Sequence, residues 1–278
     1  TFADLIGQDA MVRTLKNAFD ADRIAQAFIM TGIRGTGKTT TARIIAKGMN
    51  CIGPDGTGGP TTEPCGQCEH CRAIMEGRHV DVIEMDAASR TGVDDIRELI
   101  EGVQYRPTSA RTKVYIIDEV HMLSTQAFNA LLKTLEEPAK RSILLLVSSH
   151  PDRLPATIRS RCQIVRFPVP PVGLVRDWLS QAAPQEELDQ LLAISGGAPL
   201  RALQAREQGW GEEGRALCRE LSALKRRQAN PVQIIEEWEK RPLTSVLGGL
   251  KRCLTDLIRL ANGLSGAMLY HPALREDL

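Results

Sequence analysis

Gly32-Ile33-Arg34-Gly35-Thr36-Gly37-Lys38-Thr39 has the spacing G-x-x-x-x-G-K-[ST], and it stands between the apolar run 27–30 and a helical pattern that begins at Thr39. Glycines at these positions let the backbone curl so that several amide N–H groups and a helix N-terminus face one anion. A lysine then adds a point charge and a threonine hydroxyl a ligand for Mg²⁺, which together suit the β- and γ-phosphates of ATP. The predicted nucleotide contacts are Gly32, Gly35, Thr36, Gly37, Lys38, Thr39 and Thr40. An ordinary glycine-rich turn is the alternative, but it has no use for the lysine and threonine together.

Hydrolysis of a bound nucleotide also needs a place to steady the metal and a base for water. Val114-Tyr115-Ile116-Ile117-Asp118-Glu119-Val120-His121 supplies an apolar strand that ends in paired carboxylates, and ligands of open α/β sheets bind at the C-terminal ends of strands. Asp118 is expected to steady Mg²⁺ beside Thr39, and Glu119 to orient or deprotonate the attacking water. Asp-Glu after an apolar run is often only a solvated strand end; its pairing with the phosphate loop gives it chemical meaning. His121 reads as a satisfied polar residue beside the site.

A different chemistry sits at Cys65-x-x-Cys68-x-x-Cys71, with Cys51 near in sequence. Four thiolates around Zn²⁺ leave no open coordination position, so such a site is structural. It would replace a missing core in the Gly/Pro-rich insertion 53–64. Buried free cysteines, or His70 in place of Cys51 as fourth ligand, are the alternatives. Cys162, Cys218 and Cys253 lie apart in the sequence and read as small core hydrophobes.

These groups must be held by a framework, and the chain has the material for one. Its 278 residues favour two or three compact units. With aromatics at only 4%, aliphatic packing must dominate the core. Between residues 27 and 167, short β-branched runs (27–30, 80–85, 113–117, 143–148 and 163–167) alternate with amphipathic helical stretches, the order of a parallel sheet covered on both faces. Ser124 is placed to cap the helix carrying Phe128, Leu131, Leu132 and Leu135. Pro168-Val169-Pro170-Pro171 reads as a stiff linker, after which everything is helical. Stretches 172–182, 186–194 and 199–207 form a small three-helix unit, and Gly209-Trp210-Gly211 punctuates its end.

Composition narrows the class further. No apolar run reaches membrane-spanning length and there is no charged-then-apolar leader, so a cytoplasmic protein with no membrane contact is expected. An odd cysteine count, seven, with three clustered, suits metal binding in a reducing compartment better than a disulfide framework. A net charge of +1 gives no global grip on nucleic acid, so any such contact must be a local patch. One candidate is Ser89-Arg90-Thr91-Gly92 before a helix start: Arg90 and Thr91 could meet a DNA phosphate, although Asp94 and Asp95 oppose this and a merely capped helix start fits equally. The opening at Thr1-Phe2-Ala3-Asp4, without Met, suggests a trimmed piece of a longer chain.

With these residues in view, the chain resembles the gamma/tau subunits of the clamp loader of bacterial DNA polymerase III, members of the AAA+ class. The likeness is close over about 1–142. It rests on the P-loop, the four cysteines, Asp86-Ala87-Ala88-Ser89-Arg90-Thr91, Asp118-Glu119-Val120-His121 and Asn129-Ala130-Leu131-Leu132-Lys133-Thr134-Leu135-Glu136-Glu137-Pro138. Leu154-Pro155-Ala156-Thr157-Ile158-Arg159-Ser160-Arg161-Cys162 carries the Ser-Arg-Cys signature of clamp-loader subunits. From about 143 to 278 the chain looks more like the delta-prime subunit, with Gly196-Gly197-Ala198-Pro199 in that style but Arg201 in the gamma style; a front and back joined from two subunits would give the same pattern.

The resemblance implies an AAA+ P-loop domain with a parallel sheet over 1–167 and a zinc knuckle at about 50–75. It also implies a helical lid over 168–208 and an incomplete helical collar-like region over 209–278. It gives Lys38, Asp118 and Glu119 catalytic roles, makes Arg161 an arginine finger acting in trans, and places Ser149 and Arg201 at nucleotide-sensing positions. Partners would be other clamp-loader subunits in a ring-like hetero-oligomer, the sliding clamp and primed DNA without sequence preference, with ATP, Mg²⁺ and Zn²⁺ as cofactors. The alternative is a delta-prime-like structural subunit that presents the finger and hydrolyses little or no ATP. A helicase would need a second motor domain and a Gln/Arg-rich signature, which the sequence lacks.

Overall fold

The structure, a computed structural model, describes residues 1–21, 23–89, 93–263 and 269–271. The chain divides into two compact units, Thr1–Val169 and Pro170–Leu278.

In the first unit the elements run α1 (Asp9–Asp20), β1 (Ala27–Thr31), α2 (Lys38–Asn50), α3 (Glu69–Met75), β2 (Val82–Asp86), α4 (Val93–Val103), β3 (Lys113–Asp118), α5 (Thr125–Glu136), β4 (Ser142–Ser148), α6 (Ala156–Arg159) and β5 (Gln163–Arg166). The strands form one parallel sheet in the order β2-β3-β4-β1-β5. Strand side chains alternate between its two faces. Ile29, Tyr115, Ile117, Leu144 and Leu146 meet Ile96, Leu99, Phe128 and Leu131 on one side. Phe28, Met30, Val114, Ile116, Leu145 and Val147 meet Leu15, Ile44, Ile45 and Ile74 on the other. Burial on both faces explains why β1 and β4 are apolar runs rather than alternating ones.

Strand order positions the chemistry. β4 lies between β1 and β3, so the phosphate loop after β1 and the acidic pair after β3 emerge on either side of the end of β4. In register, Thr31 is level with Ser148, and Ile117 with Leu146. The helix cap at Ser124 forms as expected: its side chain accepts from the Ala127 amide.

All five strands form where the sequence places them, with ends shifted by one or two residues. β2 begins at Val82 rather than Val80, because the Val82 amide turns back to the His79 carbonyl at 3.1 Å. Asp81, fully buried, accepts the amides of Thr108, Ser109 and Ala110 at 2.7–2.8 Å. Burial alone would raise its carboxyl, but those three amides outweigh it and hold the group below the usual carboxylate range. β5 ends at Arg166, although the Phe167 amide still donates to the Thr31 carbonyl at 2.7 Å.

The second unit contains α7 (Val172–Leu179), α8 (Leu188–Ser195), α9 (Pro199–Glu207), α10 (Trp210–Lys225), α11 (Pro231–Glu239) and α12 (Leu243–Ala261). Val175, Leu179, Leu188, Leu191, Ala202 and Ala205 share one small core, while Leu217, Cys218, Val246 and Cys253 make another. Gly209 alone is the punctuation: it caps α10 with φ 64°, and Trp210 and Gly211 belong to the helix. Two of the cysteines expected to stand apart are paired. Cys218 of α10 and Cys253 of α12 are joined as a disulfide with Cα atoms 6.3 Å apart, since the packing of the two helices brings together residues that sequence separates. Cys162 is free and half-buried, and burial pushes its thiol up to about 12. No helix among the described residues is long and apolar enough to cross a membrane.

Candidate nucleotide site and cysteine knuckle

The phosphate loop is built by backbone geometry that only some residues accept. Gly35 and Gly37 take φ of 84° and 92°, a left-handed region costly for residues with a Cβ. Gly37 then caps α2, whose first residue is Lys38. The Lys38 Nζ donates to the Gly32 and Ile33 carbonyls, both at 2.7 Å, so the ammonium lies in the curl of the loop. Burial pushes its pKa down, with Glu119 and Asp118 opposing. Thr36 donates to the Ile33 carbonyl at 2.9 Å and Thr41 to that of Gly37 at 2.8 Å, which fixes both shoulders of the loop. Thr40 is exposed.

Across the sheet end, the Thr39 hydroxyl donates to Asp118 Oδ2 at 2.8 Å. This pair of hard oxygen donors fits Mg²⁺, which takes one or two protein oxygens and keeps several waters. Asp118 Oδ1 accepts the Glu119 amide at 2.8 Å, and Glu119 has the left-handed backbone φ 47°, ψ 41°. For a residue with a Cβ that conformation costs about 1–3 kcal/mol. It turns the carboxylate back along the strand end. There Glu119 accepts from Ser149 Oγ at 2.8 Å and from Arg34 Nε at 2.5 Å. Burial favours a raised carboxyl, but the hydrogen bonds from Ser149 and Arg34 outweigh it and leave Glu119 below its usual range, a carboxylate at neutral pH.

His121 is buried with Nδ1 3.2 Å from Ser148 Oγ and 3.3 Å from Glu119 Oε2. Burial lowers its pKa despite Glu119, so the ring is neutral and the glutamate keeps its charge. The sequence reading missed Arg34. It occupies a position the loop pattern leaves free, and its role follows only from its contact with Glu119.

The four cysteine sulfurs of Cys51, Cys65, Cys68 and Cys71 all lie within 4.8 Å of one another. Amides of Gly53 and Cys65 point at Cys51 Sγ at 3.4 and 3.3 Å, and those of Gln67 and Cys68 at Cys65 Sγ at 3.5 and 3.3 Å. Donors aimed at sulfur favour thiolates. Burial opposes ionisation of Cys65, but the Cys68 and Gln67 amides and the neighbouring sulfurs bring its thiol down to about 7. Cys71 is pushed up, chiefly by burial. An all-sulfur, closed donor set of this kind fits structural Zn²⁺. His70 is not the fourth donor: its Nδ1 is 2.8 Å from His79 Nε2, while His79 Nδ1 accepts the Asp81 amide at 3.0 Å. Arg111 fastens the knuckle to the sheet domain through the carbonyls of Met49, Gly58 and Cys51.

The expected result of replacing Cys68 by Ser is loss of one zinc per chain. The thermal midpoint should fall by roughly 6–12 °C, for a loss of about 3 kcal/mol at 2–4 °C per kcal/mol. Metal analysis and a melting curve of protein purified without chelator check both; unchanged metal content would exclude Cys68 as a ligand.

The family model described as DNA polymerase III, delta subunit, matches residues 7–171, more than half of the chain. The chain belongs to this DNA polymerase III family. Its sequence is 44% identical to DNA polymerase III subunit tau of Escherichia coli over 232 residues, 81% of this chain and 35% of that protein. Identity is 52% over 162 residues to subunit tau/gamma of Haemophilus influenzae, 58% of this chain and 23% of that one. With subunit tau of Bacillus subtilis it is 49% over 166 residues, 60% and 29%. The chain thus spans about a quarter to a third of these relatives' length. A match to 81% of the chain cannot stop at residue 142, so likeness to tau continues into the segment with delta-prime phrasing. Among solved structures, the RuvB Holliday junction branch migration motor of Thermotoga maritima superposes with TM-score 0.50 at 17% identity, covering 98% of this chain and 88% of that one. The fold is the AAA+ P-loop fold.

Other expected site residues of this DNA polymerase III family member fall elsewhere. Arg161, just beyond α6, donates to the Thr157 carbonyl at 2.9 Å and to Glu136 Oε1 at 2.7 Å. Arg201 belongs to the second unit, on α9, with its guanidinium 6.0 Å from the Trp210 ring centre. Arg90 and Thr91 lie outside the described residues.

Proposed function

We propose that this chain is an ATP-dependent subunit of the DNA polymerase III clamp loader, using ATP binding and hydrolysis to load the sliding clamp on primed DNA. The observation that carries the proposal is the Thr39–Asp118 hydrogen bond at 2.8 Å, which joins the phosphate loop to the acidic strand end beside a Glu119 held ready by Arg34 and Ser149. Loop amides and Lys38 would bind the β- and γ-phosphates. Thr39 and Asp118 would hold Mg²⁺, which when bound neutralises phosphate charge. Glu119 would take the proton of the attacking water, and its lowered pKa keeps it in the basic form. The retention of Lys38, Thr39, Asp118 and Glu119 together weighs against a purely structural subunit.

Lid and collar roles for 168–208 and 209–278, a nucleotide-sensing role for Arg201 and the trans-acting role for Arg161 belong to the same proposal. Arg161 is half-exposed and its partner Glu136 more so, so their pair is worth no more than about 1 kcal/mol and a neighbour's phosphate can compete for the guanidinium. Arg161→Ala should leave this chain's ATP affinity and stability nearly unchanged, yet slow hydrolysis at the neighbouring site by about 10³–10⁵-fold. The test mixes wild-type or mutant chain with clamp-loader partners and measures ATP turnover with and without sliding clamp and primed DNA. No stimulation of the wild-type assembly would overturn the clamp-loading function, whereas full activity of the mutant assembly would overturn only the finger.

A further inference from the structure

The second unit contains a buried group of soft donors that the nucleotide chemistry does not use. Cys218 comes from α10, Cys253 from α12 and His271 from the segment 269–271; each is at most 1% exposed. The two sulfurs and one ring nitrogen of His271 all lie within 4.8 Å of one another. Tetrahedral zinc, with Zn–S about 2.3 Å and Zn–N about 2.0–2.1 Å, needs donor separations of roughly 3.5–3.8 Å. The two sulfurs, bonded to one another in the structure, must first part to reach that range.

The histidine is set up as a ligand. Asp256, also buried, accepts the Tyr270 amide at 2.8 Å and the His271 amide at 2.9 Å, and its Oδ2 lies 3.0 Å from His271 Nδ1. A carboxylate that serves as acceptor throughout takes a hydrogen bond from Nδ1, so Nε2 is the ring nitrogen placed to bind a metal. Nε2 is buried and has no hydrogen-bond partner among the described residues. Such an orphan in the interior calls for an explanation. A carboxylate behind the non-ligating nitrogen is the usual support of a metal-binding histidine.

Room for the ring is made by one glycine. Gly214 lies one helical turn before Cys218 on α10, and a Cβ there would come 2.0 Å from His271 Nε2. Glycine inside a helix is unfavourable relative to alanine, so close approach of the imidazole gives this position its reason.

We propose that Cys218, Cys253 and His271 form a second zinc site, with Asp256 as its orienting partner, available only when the two cysteines are reduced. In the structure they are joined as a disulfide. A dithiol reductant transfers two electrons to that bond, giving two thiols and its own disulfide. Zn²⁺ then displaces the two thiol protons and takes the sulfurs and His271 Nε2, leaving the fourth position to water. Disulfide and metal exclude one another because they use the same sulfurs.

The test uses the full chain, reduced with a phosphine or left oxidised, equilibrated with zinc and passed over a desalting column. Expected are two zinc per reduced chain and one per oxidised chain, the constant one belonging to the Cys51 knuckle. His271→Gln and Cys218→Ser should each remove one equivalent from the reduced protein only. Should a variant fail to fold, cobalt in the wild-type chain gives the same answer. Reduction should add a second equivalent with thiolate-to-metal absorption, and zinc should protect two thiols from alkylation beyond the four of the knuckle. One zinc per reduced chain, with Cys218 and Cys253 freely alkylated, would overturn the proposal, as would two zinc in folded His271→Gln.

Discussion

ATP affinity should fall by about 10- to 100-fold or more in Lys38→Ala, with the fold retained. The physical reason is local. Lys38 Nζ lies within the loop at 2.7 Å from two of its carbonyls, and a hydrogen bond to a charged group is worth about 1.5–3 kcal/mol. Each 1.4 kcal/mol is tenfold in binding. The ammonium is buried and its pKa is pushed down by that burial, so removing it also relieves a desolvation cost. The thermal midpoint without nucleotide should therefore move by no more than about 4 °C, the equivalent of roughly 1 kcal/mol. Calorimetric titration with ATP, beside a melting curve, checks both halves. Wild-type affinity in a folded variant would remove the loop from nucleotide binding.

Glu119→Gln should separate binding from hydrolysis. The amide keeps the size of the carboxylate and can still accept from Ser149, while Asp118 and Thr39 keep their own contact. What is lost is the charge and its capacity to take a proton, together with the ionic part of the Arg34 contact. ATP should bind within a few-fold of wild type, and turnover in the assembled complex should fall by about 10²–10⁴-fold, the usual contribution of a positioned base. Because Glu119 sits below the ordinary carboxylate range, wild-type turnover should show no loss from its protonation until the pH drops beneath that range. Phosphate release measured from preformed ATP complexes is the assay. A variant that turns over at the normal assembled rate would exclude Glu119 as the base.

The sequence by itself determined whatever is contiguous. A phosphate loop is one stretch of backbone between a strand and a helix, so Gly32 to Thr39 could be read without any distant contact. The cysteine triplet falls within seven consecutive residues, and the apolar runs 27–30 and 143–148 declare strands buried on both faces because such strands have no polar side to show. Even Ser124 declared its cap.

Tertiary structure decided what depends on convergence. That Arg34 and Ser149 hold Glu119 follows from β4 lying between β1 and β3, a strand order that hydrophobic periodicity does not encode. β2 begins late, at Val82, because the Val82 amide turns back to the His79 carbonyl beside an Asp81 whose carboxylate holds three amides from residues 108–110. Cys51 rather than His70 completes the sulfur cluster because the histidine is taken by His79. Cys218, Cys253 and His271 are dispersed over 54 positions of sequence; packing of α10 on α12 brings two of them together, and the turn held by Asp256 delivers the third. Contacts of that kind are selected by the free energy of burying whole helix faces, a sum over many side chains that no local pattern carries.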